Sequence, residues 1–148
     1  MICPLSRTVR LLPLLAALAC GGPAATPLAI TEYSLQQAAD SIPLPYRVDV
    51  RVGEAWMTLS DVPTDSRCAQ GVTCVWAGDA AAEITVHPGC YKAGCLAPSA
   101  GLTLHTTLEP KGGDALGYHV QLLDLRPAPV HDVPTDPSRY VAWVRVSR

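Results

Sequence analysis

Residues 65–80 read DSRCAQGVTCVWAGDA, and we interpret this stretch as the disulfide-stapled corner around which a small β domain is built. It contains two of the six cysteines and one of the three tryptophans of the chain. Cys68 and Cys74 enclose five residues, a spacing that in an exported domain favours a disulfide closing a small loop. The pattern predicts a strand over Val72–Ala77, with Trp76 in the core beside the disulfide, as in many β-sandwiches.

Alternating apolar and polar residues on both sides of this stretch predict β-strands. In Tyr46–Val52 every second residue is a valine, which is typical of a strand with one buried face. Gly53-Glu54 then fits a two-residue type II′ hairpin turn. The same alternation occurs in Ala55–Ser60, Ala80–Val86, Leu102–Leu108, Tyr118–Leu125 and Tyr140–Val146. Six to seven short strands without a helix between them predict a small antiparallel β-sandwich, with a small β-barrel as the alternative.

The connections between these strands carry turn residues. Asp61–Asp65 (DVPTD) is predicted to be a turn-rich loop, and Gly78-Asp79 a bulge in preference to a tight turn. The sequence DVPTD recurs at 132–136, although the flanking residues differ. We interpret the two copies as turns that lie at the same end of the sandwich.

A second cysteine pair, Cys90 and Cys95, lies in the Gly/Pro-rich segment 87–101. With Cys68 and Cys74 it allows three disulfide pairings. We expect the local one, Cys68–Cys74 and Cys90–Cys95, because each pair brackets its own loop.

The N-terminal residues predict export. Residues 1–19 form a lipoprotein signal peptide in this interpretation: Arg7 and Arg10 precede a nine-residue apolar core that is too short to span a bilayer. Cleavage after Ala19 fits ordinary secretion, but Cys20 followed by glycine also resembles a lipobox with a diacylated cysteine. Lipidation of Cys20 leaves an even number of cysteines in the mature chain, which favours the lipoprotein.

Domain boundaries follow from composition. Residues 20–45 are predicted to be the lipidated cysteine and a flexible tether, with a short helix possible over Glu32–Asp40. Residues 46–148 are predicted to be the β domain.

The charge balance, the cysteine spacing and the positions of the aspartates argue against nucleic-acid binding and against a metal site. The chain has 11 basic and 13 acidic residues without a basic cluster, so it lacks the footprint of a nucleic-acid-binding protein. Neither cysteine pair has zinc-finger spacing. Calcium ligation by Asp61 and Asp65, or by Asp132 and Asp136, is disfavoured against their use as turn residues. The sequence therefore predicts no metal and no cofactor.

Catalysis has no support in the sequence either. There is no G-x-S-x-G motif and no redox C-x-x-C pair, so we expect a protein that is not an enzyme. Asp65, Arg67, Trp76 and Asp79 are the candidate binding residues. In one interpretation they only fix the loop and the core, and this interpretation is favoured; in the other they form an aromatic and charged rim that binds a partner or a glycan.

Asp65-Ser66-Arg67-Cys68 together with 74–78 (CVWAG) resembles a signature, DSRCP before C-x-W-A-G, of uncharacterised bacterial envelope proteins, many of them predicted lipoproteins. Ala69 replaces the usual proline of that signature. The resemblance covers most of residues 46–148 and implies a small β domain without an assigned activity.

These observations predict a lipid-anchored binding or structural module of the bacterial cell envelope, held at the outer membrane through its N-terminal lipid. Its expected partner is an envelope protein or a glycan. The alternative is a periplasmic lipoprotein that binds a metal or another ligand.

Overall fold

A computed structural model describes the backbone of Glu32–Tyr33 and all of residues 41–148. The predicted signal peptide, Cys20 and the first part of the predicted tether lie outside these residues. The described residues form nine strands in two stacked sheets and contain no α-helix. The predicted all-β sandwich is confirmed, and the sheets do not close into a barrel.

The first sheet has five strands and the second has four. In spatial order the first contains β1 (Glu32–Tyr33), β3 (Val50–Val52), β4 (Ala55–Asp65), β5 (Ala80–His87) and β6 (Ala100–His105). The second contains β2 (Ile42–Pro45), β9 (Val141–Ser147), β8 (Tyr118–Arg126) and β7 (Gly112–Ala115). All neighbours are antiparallel except β1 and β3.

The core lies between the sheets and is formed by alternate apolar residues. In β5 the alternate residues Ala80, Ala82, Ile84 and Val86 are all fully buried. In β9 the inward residues Ala142, Val144 and Val146 are buried in the same way. Elsewhere the core contains leucines, Met57 and Tyr118, and it contains no phenylalanine, since the chain has none.

The two ends of the sandwich differ in their connections. One end, here called the loop end, carries residues 66–79, 106–111 and 127–140. The far end carries the Gly53-Glu54 turn, residues 88–99, the β7–β8 turn and the C-terminus. Gly53 has a φ of 58°, which agrees with the predicted type II′ turn.

The domain begins before Tyr46, so the predicted boundary between tether and domain is wrong. Ile42–Pro45 pairs with β9, and Ile42 and Leu44 are fully buried. Glu32–Tyr33 pairs with β3 and is therefore not the start of a helix. The prolines at 43 and 45 indicated a tether, but β2 is an edge strand, where proline is tolerated.

Two register shifts explain further differences from the predicted strands. Asp61–Asp65 is the second half of β4 and pairs with β5 across irregularities near Asp61, so it is not a loop. In β8 a shift between Leu122 and Asp124 turns Leu125 into the core. Strict alternation from Tyr118 would place Leu125 on the outer face, but the sequence pattern does not show where a bulge reverses the alternation.

Both local disulfides are confirmed: Cys68 bonds to Cys74 and Cys90 to Cys95. The tryptophan covered by a disulfide-closed loop is Trp56, not Trp76. Lys92, in the Cys90–Cys95 loop, lies 5.3 Å from the Trp56 ring centroid and pairs with Asp49. Trp56 is buried on the outer face of the first sheet, where Arg51 also lies over its ring.

The described residues include no helix that is long and apolar enough to cross a membrane.

Candidate functional site

The Cys68–Cys74 loop connects β4 to β5 at the loop end and has a backbone stem of its own. The amide of Ser66 donates to the carbonyl of Asp79 at 2.7 Å, and that of Cys68 to the carbonyl of Ala77 at 2.8 Å. Gly78 lies in this stem with a φ of 69°. A Cβ atom added there would stand 1.9 Å from the carbonyl oxygen of Ser66, so only glycine fits.

The outer part of this loop exposes apolar side chains. Trp76 is 79% exposed and Val75 is 93% exposed, and Val72 is partly exposed. No residue from Cys68 to Gly78 carries a charge. Val72–Ala77 is an irregular segment, so the predicted strand and the predicted burial of Trp76 are both wrong. This segment lies beyond the last pair of β4 with β5, Asp65 and Ala80.

Asp65 and Arg67 attach the base of the loop to the second sheet. The Asp65 carboxylate accepts hydrogen bonds from Arg67 Nε at 2.8 Å, Arg67 Nη2 at 2.6 Å and Tyr140 Oη at 2.8 Å. Arg67 also donates to the carbonyls of Leu125 and Pro127. We call these residues the Asp65 network. Their side chains are mostly buried and their polar groups are hydrogen-bonded within the network, which fits the predicted loop-fixing role of Asp65 and Arg67.

The environment of Asp65 favours its charged form. Burial alone would raise the pKa of this carboxyl, but the hydrogen bonds from Arg67 and Tyr140 outweigh burial and lower it. The same burial and the neighbouring carboxylate raise the pKa of Tyr140. The phenol therefore stays protonated and donates to Asp65.

Asp79 attaches the other side of the loop base to the turn after β6. Its carboxylate accepts from His105 Nδ1 at 2.6 Å, from the Thr106 hydroxyl at 3.1 Å and from the amides of Thr107 and Leu108 at 2.8 and 3.3 Å. Burial opposes ionisation, yet these donors lower the pKa of Asp79 to about 2. We call these five residues the Asp79 network.

The first DVPTD copy is the last part of β4 and not the predicted turn, but it ends at the loop end, where Asp65 accepts a hydrogen bond from Tyr140 Oη at 2.8 Å. The amide of Gln70 donates to the carbonyl of Pro129 at 2.8 Å, and Gln70 bridges to Val130. The second copy, 132–136, belongs to the same 127–140 loop. The Cys68–Cys74 loop and the 127–140 loop thus form one connected surface.

The structure also describes the carboxylates considered as calcium ligands. Asp61 accepts from Tyr46 Oη and from the amide of Val62. Asp136 accepts from the amide and hydroxyl of Ser138. Within residues 41–148 no group of three or more His, Cys, Asp or Glu side chains is placed to hold a metal ion.

The candidate residues divide into two groups. Asp65, Arg67 and Asp79 hold the loop base and are already paired, while Trp76 projects into solvent. Sequence reasoning missed Tyr140 and His105 as their partners. Tyr140 follows the second DVPTD copy, which was the available signal, whereas His105 has an ordinary outward strand position.

Comparison with known proteins gave no match to this chain among protein-family models, curated proteins or solved structures.

Proposed function

We propose that the protein is a lipid-anchored binding module of the bacterial cell envelope, and that its binding surface is the outer part of the Cys68–Cys74 loop. The observation that carries the proposal is the exposure of Val75 and Trp76 side by side on a loop that is fixed at its base. Full burial of an exposed tryptophan side chain in an interface is favourable by on the order of 2–3 kcal/mol.

The loop base favours binding because it limits the entropy lost on association. One disulfide, the Asp65 network and the Asp79 network hold the loop before any partner arrives. A surface that is already ordered loses less conformational freedom than a flexible one. Tryptophan is also the residue type most enriched among the dominant contacts of protein interfaces.

The compartment in this proposal follows from the cysteines and the N-terminus. Two disulfides fit an oxidising environment outside the cytoplasm. The signal-like residues 1–19 and Cys20 supply export and a lipid anchor at the outer membrane. The partner is an envelope protein or a glycan, since an exposed indole packs into an apolar protein pocket or stacks on a sugar ring. No catalytic step is part of the proposal.

Site-specific crosslinking in intact cells tests the binding surface. A photoreactive residue replaces Thr73, which is exposed in the same loop, and the chain carries either Trp76 or Trp76→Ser. We expect a discrete crosslinked product, protein or glycan, that is lost with Trp76→Ser. Leu96→Ser is the control, because Leu96 is fully exposed on the other disulfide loop.

Two results would contradict this assignment. One is an equal yield of the product with and without Trp76. The other is an equal loss of the product with Leu96→Ser, which would mean that exposed apolar area alone causes the crosslink.

Fractionation tests the anchor separately. The Cys20→Ala chain should leave the membrane fraction and become soluble, whereas Cys3→Ala should stay with the membranes. A Cys20→Ala chain that still sediments with the membranes would refute lipidation at this residue.

A further inference from the structure

A cleft at the loop end carries an excess of arginine. It has a volume of about 520 Å³ and lies between the base of the Cys68–Cys74 loop and the start of the 127–140 loop. Three arginines line it, Arg67, Arg126 and Arg139, together with one acidic residue, Asp124. Arg67 pairs with Asp65 and Arg126 with Asp124, so the excess positive charge is that of Arg139. This cationic cleft is notable because the whole chain has a net charge of −2.

Two of these three arginines can bind a ligand. Arg67 is committed to Asp65 and to backbone carbonyls. Arg126 donates through its Nε to Asp124 at 2.7 Å, and its guanidinium lies over the Trp143 ring, 5.5 Å from the centroid. Neither contact uses the hydrogen-bonding edges of its two terminal nitrogens, which can still donate to a ligand. Arg139 is exposed and makes no ion pair within residues 41–148. The pKa of Asp136 is lowered mainly by hydrogen bonds from Ser138 and to a smaller extent by the nearby charge of Arg139.

A small apolar cleft adjoins the cationic one. Its volume is about 60 Å³, which accommodates a group of a few heavy atoms. Val130, Val133 and Pro134 line it, and it shares Arg139 and two further residues with the cationic cleft. Val130 and Val133 are 47% and 58% exposed, so a ligand would cover apolar surface there.

The two clefts together select for one ligand chemistry. Guanidinium groups bind a carboxylate through two parallel hydrogen bonds, and they do so best where the site is already ordered. The 127–140 loop, which lines both clefts, contains four prolines, and the carbonyl of Pro129 accepts a hydrogen bond from the amide of Gln70. The adjoining apolar cleft admits only a small group next to that carboxylate.

We propose that these clefts bind a carboxylate attached to a small aliphatic group, as in the C-terminal residue of a peptide ending in alanine or valine. Arg126 and Arg139 hold the carboxylate, and the aliphatic group fills the cleft between Val130 and Val133. This site goes beyond the surface around Trp76 and does not depend on it.

Titration with small probes tests the proposal on the full chain. The probes are acetyl-alanyl-alanine with a free carboxylate, the same peptide with a C-terminal amide, and isobutyrate, followed by calorimetry or by NMR shifts. The free acid should bind at least about tenfold more tightly than the amide, because the amide cannot accept a charge-assisted pair of hydrogen bonds. Isobutyrate binding as tightly as the peptide would assign the site to free small acids, and weaker binding would assign it to peptide C-termini.

Variants at the two ends of the molecule locate the binding. Arg139→Gln should weaken binding of the free acid about tenfold without lowering the melting temperature. Arg148→Gln is the matched control, because Arg148 is an exposed arginine paired with Glu54 at the far end. Equal binding of acid and amide, no saturation in the millimolar range, or an Arg139→Gln chain that binds like the wild type would each overturn the proposal. Trp76→Ser should bind the probe normally, which separates this test from that of the crosslinking surface.

Discussion

At the scale of single residues, left-handed backbone at non-glycine residues lowers the free energy of unfolding. Arg47, Leu116 and Asp132 all have φ between 49° and 57° in the described part of the chain. The sequence contains no asparagine, the non-glycine residue that best tolerates this conformation. Leu116 and Gly117 form the two-residue turn between β7 and β8, both with positive φ, which is the geometry of a type I′ turn.

Leu116→Asn is therefore expected to stabilise the protein. Asn-Gly is the preferred pair for this turn, and the change should raise the free energy of unfolding by about 1 kcal/mol. Urea unfolding measures the difference. The control is Leu123→Asn, because Leu123 is similarly exposed but lies within strand β8. A gain of stability in both variants, or in neither, would contradict the backbone explanation.

Gly78 and Gly71 offer a matched pair in one loop. Both have positive φ, but a Cβ atom at 78 collides with the Ser66 carbonyl, whereas nothing lies within 4 Å of one at 71. Gly71→Ala should cost about 1 kcal/mol from backbone strain alone. Gly78→Ala should cost several kcal/mol more, because the stem of the loop must move. Equal melting temperatures for the two variants would mean that the stem does not constrain residue 78.

At the scale of elements, the two networks determine how the Cys68–Cys74 loop is attached. The Asp65 network reaches the second sheet through Tyr140 and Leu125, and the Asp79 network reaches the turn after β6. The loop base is thus held on two sides by carboxylates, and its attachment should depend on their ionisation.

Asp79 should give the stability of the protein a specific acid dependence. Its pKa falls from 3.8 to about 2 on folding, so its contribution is fully present above about pH 4 and is lost as the pH falls towards 2. After allowance for screening by solvent, the contribution is about 1–2 kcal/mol. Asp79→Asn should lower stability at pH 7 and flatten the dependence between pH 4 and 2 in urea unfolding.

The control for that experiment is Asp114→Asn, because the Asp114 side chain is 84% exposed and pairs only with His119 at the surface. If Asp79→Asn retained the wild-type slope below pH 4, other groups would account for the acid dependence.

At the scale of the whole molecule, the core and the disulfides are separate. All four described cysteines lie in loops, and the buried residues come from strands of both sheets and from Tyr140. The disulfides therefore order the loops and restrict the unfolded chain without adding to the core.

The variant Cys68→Ser/Cys74→Ser should keep the sandwich and lose the order of its loop. The closure entropy of so short a ring predicts a loss of about 2–3 kcal/mol. Circular dichroism should show unchanged strand content, while limited proteolysis should cut between 68 and 78 under conditions in which the wild type resists. The variant Cys90→Ser/Cys95→Ser should leave residues 68–78 protected. Loss of the β spectrum in the first variant would mean that the disulfide is needed for the fold itself.

Much of the sandwich could be predicted because alternation is local. Tyr140–Val146 shows which residues face inward without reference to any other strand, and the core positions of β5 follow in the same way. Asp61–Asp65 could not be predicted as a strand, because its pairing with β5 outweighs the turn preference of Asp and Pro. Ile42–Pro45 was missed for the same reason, since pairing with β9 is a tertiary contact.

The candidate site, like the strands, was predictable where local sequence decides the structure and not where tertiary contacts do. The loop, its disulfide and the role of Asp65 and Arg67 in fixing it could be predicted from the sequence, whereas the partners of Asp79 could not. Nor could the exposure of Trp76, because an apolar residue beside a cysteine is usually buried. Only the structure shows that the Cys90–Cys95 loop covers a different tryptophan, Trp56, and that Trp76 remains in water.

The position of the C-terminus has a practical consequence for handling the protein. β9 ends at Ser147, and Arg148 pairs with Glu54 beside the far-end turn, away from the loops at the other end. An affinity handle or fluorophore fused after Arg148 would leave both loops facing the sample. A sensor chip coated through such a handle would present every molecule in the same orientation, with Trp76 and Arg139 towards the analyte.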